Sequence, residues 1–104
     1  MAFIQEPTHY HKTVLSDLQG SWSVLRETVV DNPDFENADK LLFHVDEAMS
    51  WESVRNLARM KTTFILIRNI ALQAQAPQAI LDAVDDVQYN LDETLQALAE
   101  GEIS

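Results

Sequence analysis

The sequence predicts an all-α protein, a small bundle of about four helices whose last two form an antiparallel hairpin. Three observations carry this prediction. The 104 residues contain only two glycines and three prolines, so the chain has few places to turn and must be built from long elements. Apolar residues recur at alternating spacings of 3 and 4 along most of the chain, which is the period of one helical face. The one run that also reads as a strand, Leu41-Leu42-Phe43-His44-Val45, has no second strand to pair with. At this length a single domain over 1–104 is expected.

Residues 1–8 read as an extended N-terminal arm around Pro7, with Thr8 placed to cap a first helix. From Tyr10 onward Leu15, Leu18, Trp22, Leu25 and Val29 make a single helical stripe. Gly20 lies within it, at a cost of about 1 kcal/mol relative to alanine, and suggests a close neighbour. Asp31-Asn32-Pro33-Asp34 should end the helix, because proline drives Asn32 away from helical geometry.

A second helix is expected from Phe35 to about Asp46, with Ala38, Leu41, Leu42 and Val45 on one face and Asp34 as cap. A third is expected from Met49-Ser50 to about Gln75. Its stripe is Leu57, Met60, Phe64, Ile67, Ala71 and Ala74, yet Val54, Ala58, Ile65, Leu66, Ile70 and Leu72 make most other sides apolar too. A helix apolar nearly all round is either central to a core or covered by a second chain; three further helices would struggle to cover it, so an oligomer is expected. Pro77 suits the first turn of a fourth helix, followed by Ile80, Val84, Val87, Leu91, Leu95 and Leu98, with Gly101 as C-cap. The tight turn between the third and fourth helices makes them antiparallel neighbours.

Charge bounds the function. Seventeen acidic residues against seven basic ones give a net charge of −10, which repels nucleic-acid phosphates and anionic membranes and argues against direct binding to either. The charges are segregated. Residues 50–76 hold Arg55, Arg59, Lys61 and Arg68 against Glu52 alone, and residues 77–104 hold seven acids and no base. Opposite charge on the last two helices should favour their pairing, at some tenths of a kcal/mol for each surface pair. The beginning Met1-Ala2-Phe3-Ile4-Gln5-Glu6 does not resemble a signal peptide. The longest near-apolar run, Phe64 to Ala76, is too short to span a bilayer. A cytoplasmic protein is expected, which the absence of cysteine fits.

Catalytic chemistry needs particular residue types at particular spacings. Without cysteine there is no thiolate site and no cysteine nucleophile. Two isolated glycines supply neither a phosphate loop nor a nucleophile elbow. His9 and His11 flank Tyr10 near Glu6, and His44 precedes Asp46 and Glu47. A mononuclear site needs three or four convergent ligands, and a di-iron bundle needs repeated Glu-x-x-His on inward faces, which this chain does not repeat. No metal, cofactor or catalytic residue is expected. The chain reads as a protein-binding module and not an enzyme.

The aromatic and apolar residues therefore become the candidate site. Trp22 belongs to the core stripe. Trp51 either anchors the start of the third helix or sits at an interface. Phe3 and Ile4 lie on an arm with no local helix to pack against, and dock on the core or reach over a partner. Phe43 falls just off the apolar face of its helix. With Leu42, Ile65 and Leu66, these residues (Phe3, Ile4, Phe43 and Trp51) form the expected protein interface.

The stretch Leu41-Leu42-Phe43-His44-Val45, followed by Ser50-Trp51-Glu52-Ser53-Val54-Arg55-Asn56-Leu57-Ala58, resembles a group of small helical pseudomonad proteins, and the size, acidity, lack of cysteine and four-helix reading are similar to those of quorum-sensing antiactivators. In that group a Leu-Phe-x-Val segment precedes a long Ala/Leu-rich helix. The usual Pro-Gly after it is Asp46-Glu47 here, and the likeness spans roughly residues 40–76. The resemblance implies a helical homodimer that binds the ligand-binding domain of a LuxR-type transcription factor, LasR-like, and blocks its dimerisation. A regulator so blocked cannot grip a two-half-site operator. Two other classes fit the residues: an acidic nucleic-acid mimic using Asp82, Asp85, Asp86, Asp92 and Glu93, and a helical assembly subunit.

Overall fold

A computed structural model describes residues 5–53 and 56–99, with side chains over 14–51 and 56–99. It contains four helices, α1 (Gln5–Asp31), α2 (Ala38–Ser53), α3 (Leu57–Gln73) and α4 (Gln78–Ala99), and no strand among the described residues. The expected all-α bundle is therefore the observed fold. The helices pack most extensively as α1 on α4 and α2 on α3; α1 also lies on α2, and α3 touches α4 least. Arg26 meets Asp46 while Trp22 shares a cleft with Met49, so α1 and α2 run in opposite directions.

The helical stripes become the core. Leu18, Trp22, Leu25 and Val29 of α1 meet Leu41, Val45 and Ala48 of α2 and Met60, Phe64 and Ile67 of α3; Ile80, Val84, Val87 and Leu91 of α4 complete the cluster. Each large side chain taken fully out of water contributes roughly 1.5–3 kcal/mol. Polar atoms are satisfied locally: the buried Thr94 hydroxyl donates to the Asn90 carbonyl at 2.8 Å, one turn back.

The boundaries differ from the expected ones at four places, each for a local reason. First, α1 already begins at Gln5, so residues 5–8 are helical and not part of an extended arm; Pro7 falls in the first turn, where its missing N–H is not needed. Phe3 and Ile4 lie outside the described residues, as does Gly101.

Second, α2 begins at Ala38 rather than Phe35. Asn37 has φ 68°, a left-handed conformation that a continuous helix from Phe35 could not contain. The Asn32 side chain closes α1 by donating to the Thr28 carbonyl at 2.8 Å. Phe35, half-buried against the core, holds the intervening turn.

Third, α2 continues through Met49, Ser50 and Trp51 to Ser53, so the third helix does not start there. The buried series Ala38, Leu41, Val45, Ala48 keeps one face inward across Asp46-Glu47, and nothing in that dipeptide breaks a helix. The start signal lies later: the Asn56 side chain accepts from the Arg59 backbone N–H at 3.2 Å, an N-cap.

Fourth, α3 ends at Gln73 in a left-handed turn. Gln75 has φ 53°; Ala76 N–H donates to the Ala71 carbonyl at 3.0 Å and Gln75 N–H to Leu72 at 3.2 Å. That paired pattern is a Schellman motif, usually completed by glycine. Gly20 has open space around it: a Cβ there would meet nothing within 4 Å, so no neighbour approaches closely as its position suggested.

Candidate protein-docking surface

On α2, His44, Glu47 and Trp51 recur at 3 and 4 residues and share one outward edge. On α3, Arg59, Thr62 and Leu66 do the same, and the buried Thr63 adjoins them. The two edges line a groove of about 460 Å³ between the helices. Its floor and walls are held in place by contacts within it. The His44 Nδ1 and a Glu47 carboxylate oxygen lie 3.0 Å apart, and the Arg59 guanidinium sits 5.3 Å from the centre of the Trp51 ring, a cation–π distance. Phe43 stands beside the groove, its ring forming a T-shaped pair with the His44 ring at a centroid distance of 5.3 Å.

Of the expected interface residues, Trp51 and Leu66 line this groove and Phe43 flanks it. Phe43 is 65% exposed, unusual for a phenylalanine. Ile65 is exposed on α3 next to Leu66 but is not among the groove-lining residues. Leu42 is half-buried and packs on the core, which takes it out of the exposed set. Trp51 is half-buried on the last turns of α2, not at the start of α3. His44 is likewise half-buried, at the helix edge.

Sequence reasoning missed exposed Leu72, Tyr89, Val24 and Val30 as surface residues. Leu72 and Ile65 are 7 residues apart on α3, and that second apolar line opposite the core stripe was the available signal. Tyr89 had none in apolar periodicity, because its α4 neighbours on that face are acidic.

The expected charge pairing of α3 with α4 is not seen among the described residues. Among the described residues the ion pairs are Arg26–Asp46 at 2.7 Å, between α1 and α2, and His44–Glu47 within α2; none joins α3 to α4. Arg26 and Asp46 are each about half exposed, so their pair contributes little. Among the described residues no three side chains of the metal-ligating kinds converge, and no helix is long and apolar enough to cross a membrane. No protein-family model, curated protein or solved structure matches the chain.

Proposed function

We propose that the chain is a protein-binding regulator whose α2–α3 groove receives an apolar helix of its target. The observation that carries this reading is the grouping of Phe43, Trp51 and Leu66 around one groove. Helix-in-groove recognition uses apolar anchors spaced by a helical turn against a mixed apolar and polar lining, and Arg59, Glu47 and His44 supply the polar rim. The target class we propose is the ligand-binding domain of a LuxR-type, LasR-like transcription factor, following the resemblance of residues 40–76. Covering that domain's dimerisation surface would prevent it from holding two operator half-sites. A homodimer of this chain would be the form that acts.

The test is to mix the purified chain with such a ligand-binding domain and follow co-elution, then operator binding by the full regulator. The proposal expects a complex that survives added salt, loss of operator binding, and loss of the complex with Phe43→Asp. A second reading rests on α4, where Asp82, Asp85, Asp86, Asp92 and Glu93 are all exposed: an acidic surface imitating phosphates to occupy a DNA-binding protein. Its complexes would dissociate steeply with salt. Capture of a DNA-binding protein that salt releases, with Phe43→Asp without effect, would replace the first reading by the second.

A further inference from the structure

The groove between α2 and α3 has two unlike ends. Its lining residues step away from the α2–α3 connection on both helices, through Trp51, Glu47 and His44 on α2 and through Arg59, Thr62 and Leu66 on α3. At the end nearest the connection the Arg59 guanidinium lies over the Trp51 ring, 5.3 Å from its centre. At the far end stand the exposed Leu66 and, beside the groove, the exposed Phe43. Seven residues separate Arg59 from Leu66, and seven separate His44 from Trp51. The cationic and apolar ends therefore lie about 10 Å apart along the helices.

The two charged side chains of the groove are held differently. The Glu47 carboxylate is turned along its own helix to the His44 Nδ1, 3.0 Å away. The Arg59 guanidinium is placed by an aromatic ring that attracts its charge but gives its N–H donors no acceptor, since an indole nitrogen only donates. Among the described residues no carboxylate pairs with Arg59. Its backbone is also fixed, with the N–H held by the Asn56 side chain at 3.2 Å. The groove thus presents a positioned guanidinium at one end, and an arginine fork takes a carboxylate through two parallel hydrogen bonds.

Resting on the helix-in-groove reading above, we infer that the helix received there carries an aspartate or glutamate that docks on Arg59, with its apolar anchor two turns away against Leu66 and Phe43. The carboxylate belongs at the Arg59 end because one turn further along it would meet Glu47, which repels it. A lysine or arginine in its place would face the guanidinium, so the groove selects among apolar helices by charge. In a chain of net charge −10, which repels acidic partners at a distance, Arg59 admits an acid at one defined place.

Stapled helical peptides test this. Each has leucines three and seven residues from one variable position, which is glutamate, glutamine or lysine, and each is made in both sequence directions. Binding is followed by amide NMR shifts of the labelled protein. In the better direction the glutamate peptide should shift residues around 43–51 and 59–66 and bind at least tenfold more tightly than the glutamine peptide, with the lysine peptide weakest. Arg59→Gln should remove the difference between glutamate and glutamine, and Arg59→Glu should make the lysine peptide the tightest. Both variants should keep their helical circular dichroism, because Arg59 is exposed. Phe43→Ser should weaken all three peptides and leave their order unchanged. Equal binding of the three peptides in the groove, or a glutamate preference that survives Arg59→Gln, would overturn the inference and leave the helix-in-groove reading standing. Peptides that leave the groove unshifted at millimolar concentration would overturn both.

Discussion

The indole N–H of Trp22 donates to the thioether sulfur of Met60 at 3.4 Å, joining α1 to α3 through the middle of the bundle. Both residues are essentially without solvent exposure, and the Phe64 and Trp22 rings form a T-shaped pair with centroids 6.1 Å apart. Met60→Leu keeps the volume, a change that usually costs less than about 1.5 kcal/mol. Here it also strands a buried N–H, at roughly 1–3 kcal/mol. Urea unfolding should show a loss of about 2 kcal/mol, and a much smaller loss when Trp22→Phe has already removed the donor.

Gly20 gives the opposite sign. Its surroundings are open and it sits inside α1, so Gly20→Ala should stabilise by about 1 kcal/mol. For a domain of this size that raises the midpoint of thermal unfolding by about 4–8 °C, readable by circular dichroism. No gain would mean that a neighbour occupies the space.

The two ends of α3 respond in opposite directions. Asn56→Ala removes the oxygen that accepts from Arg59 N–H and should cost about 1 kcal/mol. Gln75→Gly relieves a non-glycine residue at φ 53° and should gain about 1 kcal/mol. Chemical denaturation of the two variants checks both signs.

These termini also show how much the sequence disclosed. The core stripes of α1, α3 and α4 were legible because burial of one face imposes the 3-4 spacing directly, and Trp22 fell where its stripe placed it. The α2–α3 boundary was not. Ser50 beside Trp51 has the look of a start, whereas the deciding feature is the Asn56 side chain reaching Arg59 N–H, which spacing alone does not reveal. The left-handed Asn37 and Gln75 were hidden for a related reason, since neither is glycine. Of the surface, Phe43 and Leu66 could be read as residues off the core stripe, but the groove between them depends on how α2 packs on α3. The absence of ion pairs between α3 and α4 among the described residues followed from the sparse contact of those helices, a packing fact no charge count contains.

Phe43 separates folding from binding. It is largely exposed and among the described residues makes its ring contact with His44, so Phe43→Asp should change stability by no more than about 0.5 kcal/mol. The same variant should weaken target binding more than tenfold. Loss of stability comparable to a core substitution would show that Phe43 serves the fold.

In the proposed function the α2–α3 groove is the surface that meets another protein. Amide hydrogen exchange of the chain, alone and with a LuxR-type ligand-binding domain, tests it most directly. Slowed exchange is expected only at residues around 43–51 of α2 and 59–66 of α3. Slowing on α4 alone, or no change anywhere, would contradict it.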